Sequence, residues 1–442
     1  MVRGPVAAAA AAADSSPAAA GRLLLVAPHG SYRTAPFIEA AVARGAEVVI
    51  ASESRYALAS PLARGLYVDF GNQDAALARI LDEARTRPFT AIIGTDDSST
   101  ELASRASSAL GLRHNPSEAV RVARRKDLAR ERLAKCGVPV PWHRRIDLQL
   151  PLAAQIDGIP YPCVLKPVAL SASRGVIRAD GPAELLSAVA RIRAILSEVV
   201  DAQERHHVLV EQFVPGFEVA VDGLLEGGRL RMLAVFDKPD PLDGPFFEET
   251  YYVTPSRIGA GMLAQLERRV DQACRAYGLC EGPVHAECRI NGQAVWILEV
   301  AARTIGGLCG RLLRFGTGQS IEQLVLAHAL GDPVDVQAQE GGAGVLMIPI
   351  PAAGILRRVE GVMAASQVPG IEDVVIDVRE GYELVPLPEG SSYLGFIFAR
   401  ASGPAEAEAA LRAAHACLNI VVAPLWKAAA AASAAGGAVT QI

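Results

Sequence analysis

The chain has no surplus of positive charge and no Lys/Arg-dense block. Its 442 residues carry 43 basic against 48 acidic side chains, a net charge of −5. That balance excludes nucleic acid as the main partner. Paired cysteine spacings are missing too. The seven cysteines, at 136, 163, 274, 280, 288, 309 and 417, are odd in number and never form CxxC. They speak against a zinc site and for buried thiols in a reducing compartment. No apolar run is long enough to cross a bilayer, and the longest, GVLMIPIPAAGIL at 344–356, holds two prolines. No fixed-period repeat is present. The alanine-rich start, MVRGPVAAAAAAADSSPAAAG, has Arg3 as its one positive flank, and Asp14 directly follows its apolar run. A disordered leader over 1–20 is expected there rather than a secretion signal. Together these absences predict a soluble cytoplasmic protein acting on small molecules, without nucleic-acid or membrane partners. They leave the oligomeric state open, a homodimer included.

Hydrophobic residues make up 51% of the chain and charged ones 21%, enough to build large cores in several domains. RLLLVAPHG, APFIEAAVARG and AEVVIAS read as strand, amphipathic helix and second strand, the start of a parallel sheet buried on both faces. FTAIIGTDDSST ends another buried strand in polar residues. Carboxyl ends of parallel strands are where such sheets bind ligands, so 21–115 is expected to be a Rossmann-like domain with Gly30-Ser31-Tyr32-Arg33 near substrate. A single helix is expected from an N-cap at Ser117 to a stop at Gly137. Between 182 and 200, Leu185, Val189, Ile192, Leu196 and Val199 mark one helical face. HHVLVEQFV, FEVAVDGLL and LRMLAVFD read as strands. Residues 341–427 read as a C-terminal α+β domain and 428–442 as a flexible tail.

In CVLKPVALSASRGVIR the lysine precedes its small-residue loop, whereas the familiar phosphate loop GxxxxGK[ST] places it after the glycines. Lys166 on a mostly apolar strand should meet an anion, because an unpaired buried ammonium is costly. The SASRG hairpin would fold over phosphates from above. The strand ending at Glu211, with Phe213 and Val214, offers an acceptor and backbone groups for an adenine edge in an apolar slot. Glu218, seven residues on, would accept from ribose hydroxyls.

Glu287 and Glu299 lie in VHAECRINGQAVWILEVAAR, which reads as a hairpin around Asn291-Gly292. A two-residue Asn-Gly loop would pair Glu287 with Trp296. An odd-length loop such as Gly292-Gln-Ala294 puts Glu287 directly across from Glu299, with Cβ atoms ~5 Å apart. The odd loop is expected here. Two such carboxylates repel unless a divalent cation lies between them, and magnesium takes one or two carboxylates plus substrate phosphates. Arg303, four residues beyond Glu299, would clamp a carboxylate or a phosphoryl group in transfer. Gly306-Gly307 would let backbone approach a ligand closely.

This order of motifs, over roughly 22–335, resembles the ATP-grasp superfamily. The resemblance implies a mixed α/β and α+β chain with an ATP-grasp domain over 116–340. It implies ATP with magnesium, or manganese, as cofactors. By position it assigns Lys126 and Lys166 to the ATP phosphates, and Ser171 to Val176, including Ser173 and Gly175, to the loop over them. Glu211, Phe213 and Val214 would hold adenine, Glu218 the ribose, and Glu287 with Glu299 the metal. Many members carry an asparagine two residues after the second acid, where this chain has Ala301. That departure, the Arg303 spacing and GYELVPLPEGSSYLGFIFARA resemble the L-amino-acid ligases, which form dipeptides through an acyl phosphate. In such an enzyme Arg303 and Lys166 are catalytic. Arg303, Gly306, Gly307, Lys238 and Glu249 would line the amino-acid pocket, with Glu248 beside them and Glu249 set against a substrate ammonium. The rival readings are a formate- or bicarbonate-using relative from purine biosynthesis or the biotin carboxylases, and a non-catalytic nucleotide sensor.

Overall fold

The computed structural model describes residues 21–54, 63–338 and 340–425; the expected leader and flexible tail lie outside them. The strand Arg22–Val26 is buried along its whole length. Leu23 and Leu25 enter one core and Leu24 and Val26 another, so apolar residues on both faces are what the sheet requires. It lies in a four-stranded parallel sheet in the order Arg64–Tyr67, Glu47–Ser52, Arg22–Val26, Ala91–Gly94. Helix Asp97–Ala109 follows the last strand at once. A Cβ at Gly94 would lie 2.7 Å from the Thr100 Cα, so only glycine allows so tight a turn. Asp96 and Ser99 form a capping box there, which holds Asp96 and Asp97 at the carboxyl edge of the sheet.

The single helix expected over 117–137 is two. Ser117–Arg124 and Lys126–Lys135 are separated by Arg125 in extended conformation. Pro116, not Ser117, takes the N-cap position, and Ser117 Oγ lies 3.2 Å from Ser104 Oγ. The break frees the Lys126 N–H to donate to the Val168 carbonyl at 2.8 Å, which ties the second helix to the strand that carries Lys166. Gly137 ends the second helix with a positive φ, as expected.

A second, antiparallel sheet orders His143–Asp147, His207–Gln212, Cys163–Pro167 and Ile177–Ala179. Helix Pro182–Leu196 covers it with Leu185, Val189, Ile192 and Leu196, and Val199 packs at the edge. The largest sheet has eight antiparallel strands, ordered Ala294–Ala301, Gly282–Asn291, Phe217–Glu226, Arg229–Lys238, Tyr251–Thr254, Gly342–Ile348, Gly395–Ala401, Ile371–Ile376. Its last three strands come from the C-terminal region, and Tyr251–Thr254 bonds directly to Gly342–Ile348, so the sheet passes residue 341 without a break. Glu383–Leu384, Gly354–Glu360 and Asn419–Ala423 form a separate three-stranded sheet.

All seven cysteines are free; Cys163, Cys274, Cys288 and Cys309 are buried, but Cys136 is exposed and Cys280 and Cys417 are half-buried, against the expectation that all would be interior. Among the described residues no helix is long and apolar enough to cross a membrane.

Candidate active site

A cleft between the second sheet and the eight-stranded sheet gathers most of the residues singled out above. Along Cys163–Pro167, Cys163 and Leu165 enter the core beneath helix Pro182–Leu196, while Val164 and Lys166 line the cleft. Lys166 Nζ lies 2.7 Å from Glu211 Oε2. Arg130 pairs with Glu211 as well and donates to the Leu298 carbonyl at 2.9 Å. Burial works to raise the Glu211 carboxyl, yet Arg130 and Lys166 hold it down at about 2. Glu211, expected at the adenine edge, thus has its carboxylate engaged in anchoring Lys166. Lys126 reaches in from its helix to the Leu170 carbonyl, at 2.7 Å, and to Glu299, at 3.2 Å.

Ser171, Ser173 and Val176 line the cleft, with Ala172 and Ser173 in left-handed backbone conformations. Gly175 does not line it. A Cβ there would meet the Pro167 ring at 2.7 Å, and its N–H donates to the Pro388 carbonyl at 2.8 Å. Arg174 Nε donates to the Glu389 carbonyl at 2.9 Å, and the Glu389 carboxylate takes two bonds from Arg191, at 2.8 and 2.9 Å. The hairpin is thereby tied to a turn of the C-terminal region.

Phe213, Phe247 and Val164 form an apolar slot with Val176 and Leu242. The backbone groups expected for adenine are partly taken. The Phe213 N–H donates to the Pro162 carbonyl at 2.9 Å, and the Val214 carbonyl accepts from Arg289 at 2.7 Å. The guanidinium carbons of Arg178 and Arg289 lie 4.4 and 4.9 Å from the centre of the Phe213 ring.

Glu287 pairs with Glu299 as expected, but not through the expected loop. Asn291 pairs with Ala294, so the turn is the even Gly292-Gln293. The register then shifts between Glu287 and Cys288, with Cys288 opposite Ile297 and Glu287 opposite Glu299, so Leu298 is the extra residue of a β-bulge. The Leu298 carbonyl that accepts from Arg130 belongs to this bulge.

Glu287 also stands in an acid group that the sequence reading only partly foresaw. Carboxylate oxygens of Glu218, Glu249 and Glu287 lie within 4.8 Å of one another. Lys238 sits among them, 2.5 Å from Glu249, 3.3 Å from Glu218 and 3.6 Å from Glu287. Burial and the charge of Glu287 push the Glu249 carboxyl up to about 7, despite Lys238. Burial would raise Glu287 too, but Lys238 and His285 hold it far below the usual carboxylate range. His285 resists its own burial through Asp222, 3.1 Å away, and Glu287, and stays protonated to about pH 9. Glu218, expected at the ribose, is bonded by Arg289 at 2.9 Å. Lys238, expected to contact substrate, is buried among three acids and lines neither this cleft nor the cavity beside it. Glu248 also lies outside both. The oxygen-only donors, Glu287 and Glu299 on paired strands of one cleft, fit a hard divalent cation.

The cleft opens into a cavity of about 730 Å³, and Glu249, His285, Glu287 and Arg303 line both spaces. Arg303 is fixed by Asp97, at 2.8 Å, and by donation to the Thr304 carbonyl at 3.0 Å. Burial opposes the Asp97 charge, but Arg303 keeps its carboxyl below the ordinary value. Gly306 and Gly307 line the cavity, and Gly307, with a φ of +59°, is the one whose backbone favours glycine. A Cβ at Gly306 would lie 3.0 Å from Arg33 Nη2, and one at Gly307 would lie 2.2 Å from Met347 Sδ. Tyr32 and Arg33 line the cavity from the N-terminal sheet, and Tyr32 Oη accepts from the Gly307 N–H at 3.0 Å.

Several site residues escaped the sequence reading. His285, Glu287 and Arg289 alternate along one strand and all face the cleft, while Ala286, Cys288 and Ile290 are buried on the other side. Period two starting from Glu287 would have found them. Arg130 and Asp97 carried no such signal, since their partners are distant in sequence.

Residues 159–311 match the ATP-grasp domain family, and residues 346–423 match the L-amino acid ligase C-terminal domain 2. Among solved structures, the L-amino acid ligase from Bacillus licheniformis is 25% identical, covers 90% of this chain and 98% of its own, and superposes with a TM-score of 0.79. An uncharacterized protein, y4rH, of Sinorhizobium fredii is 26% identical over 68% of this chain and 61% of its own length. The D-alanine–D-alanine ligase of Bordetella avium is 32% identical over 37% of this chain and 51% of its own length. The chain thus spans less than two-thirds of the length of these curated relatives.

Proposed function

We propose that this chain, which belongs to the ATP-grasp proteins and carries an L-amino acid ligase C-terminal domain, uses ATP to join two amino acids by an amide bond. One observation carries the reading: Arg303 and Glu287 line both the lysine-bearing cleft and the larger cavity, so a phosphoryl group and a substrate carboxylate can meet there.

In this reading a carboxylate oxygen of the first amino acid attacks the γ-phosphorus. The new O–P bond forms as the β–γ bridging bond breaks, and ADP leaves. The nitrogen of the second amino acid then attacks the acyl carbon, the C–N bond forms, phosphate leaves, and the nitrogen loses a proton to solvent. Lys126 and Lys166 face the phosphates, and Lys166 is held in place by Glu211. Arg303 offsets charge on the carboxylate and the acyl phosphate. The hairpin 171–176 covers the phosphates and keeps water from the acyl phosphate. Phe213, Phe247 and Val164 offer the base an apolar slot. Glu287 and Glu299 would hold magnesium, which when bound neutralises phosphate oxygens.

ADP release measured against single amino acids, amino-acid pairs, bicarbonate and formate tests the reading, with mass spectrometry of the product. Release that needs two amino acids and yields their condensation product supports it. Release driven by bicarbonate or formate alone rejects it.

A further inference from the structure

Asp96 and Asp97, adjacent at the start of helix Asp97–Ala109, each hold one arginine of the large cavity. Asp97 holds Arg303, at the mouth of the nucleotide cleft, and Asp96 Oδ1 lies 2.6 Å from Arg33 Nη1. On the ligase reading, the cavity receives two anionic groups if the amine substrate is itself an amino acid: the carboxylate being activated and the acceptor's own carboxylate. Arg303 reaches the first. Of the other arginines lining the cavity, Arg124 is paired with Glu204, and Arg174 is engaged by the Glu389 carbonyl and Glu198.

What sets Arg33 apart is its counter-ion. Asp96 divides its charge among several donors, since it also accepts from Ser31 Oγ at 2.7 Å and Thr95 Oγ1 at 2.6 Å and caps the helix. Like Arg124 and Arg303, Arg33 has a buried Nε without a hydrogen-bond partner, and its guanidinium carbon lies 4.7 Å from the centre of the Tyr32 ring. The arginine is held in place while part of its donor capacity stays unused. A Cβ at 306 would press on Nη2 from 3.0 Å.

We infer that Arg33 is the second carboxylate clamp, the residue that selects the amine-donating amino acid by its free carboxylate. The inference rests on the ligase reading.

The test compares an amino acid with its own carboxamide as acceptor, at fixed ATP and first substrate. The wild type is expected to favour the carboxylate acceptor by about 10- to 100-fold in kcat/KM, the scale of a charge-assisted hydrogen bond. In Arg33→Gln, which keeps a donor for Asp96, that ratio falls toward one through the acceptor KM, and Arg33→Lys restores part of it. Gly306→Ala puts a methyl group 3.0 Å from Arg33 Nη2 and is expected to lower the ratio by a smaller amount, which decides the matter if the Arg33 variants fail to fold. Equal losses with both acceptors, or a wild type that uses both equally well, would overturn the clamp and leave the ligase reading standing. Absence of any amide product in the wild type would instead remove the ligase reading.

Discussion

Glu287 lies directly across from Glu299 because Leu298 bulges out of the ladder between them. Without that extra residue, the even Gly292-Gln293 turn would set Glu287 opposite Leu298. The bulge brings two acids to one cleft, and its carbonyl is held by the same Arg130 that braces Glu211.

Removing either carboxylate should therefore stop chemistry more than it weakens nucleotide binding. Glu299→Gln and Glu287→Gln are each expected to lower kcat by at least about 100-fold, the scale of losing a group that stabilises transition-state charge. Calorimetric titration with a non-hydrolysable ATP analogue should still detect binding. Full turnover in either variant would refute the metal assignment.

The Glu211 charge makes stability depend on acid. Its carboxyl drops from an ordinary 4.5 to about 2 on folding, so its contribution is complete above 4.5 and is lost as pH falls toward 2. Glu211→Gln leaves Arg130 and Lys166 without their counter-charge and should cost about 3–5 kcal/mol at pH 6. The gap between wild type and variant should narrow by about 1 kcal/mol by pH 3.5, measured by urea unfolding. A gap independent of pH would show that the carboxylate charge is not what matters.

The tie between the hairpin and the C-terminal turn predicts a coupling defect. In Glu389→Ala, Arg191 loses both of its bonds to that carboxylate. Since the pair is partly exposed, the expected change is modest, about two- to fivefold in the ratio of ATP hydrolysed to amide formed. Unaltered coupling would mean that the turn does not influence the hairpin.

Gly307 has a φ of +59° and faces Met347. Gly307→Ala should cost about 1–3 kcal/mol, observed as a lower Tm. Made in a Met347→Ala background, which is itself destabilised because Met347 is buried, the same change should cost less, leaving only the backbone part.

Much of this site was legible in the sequence because strands are strictly periodic. Lys166 and Glu211 follow from apolar runs with polar residues at one parity or at their ends, and Glu287 and Glu299 stand out as the acids of one hairpin. What was not legible depends on contacts distant in sequence. Nothing at Arg125 signals a helix break, and the Lys126 N–H bond to Val168 that accompanies it joins residues distant in sequence. The bulge at Leu298 has no glycine or proline to mark it, so the correct pairing was assigned to the wrong loop. Lys238 is expected from the resemblance in the amino-acid pocket, and only the folded sheet shows three acids around it.

The most direct test of carboxylate activation by phosphoryl transfer uses a first amino acid labelled with ¹⁸O in both carboxylate oxygens, together with ATP, magnesium and a second amino acid. One ¹⁸O should appear in inorganic phosphate for each amide formed, with the other retained in the product. Unlabelled phosphate, or release of AMP and pyrophosphate, would contradict the account.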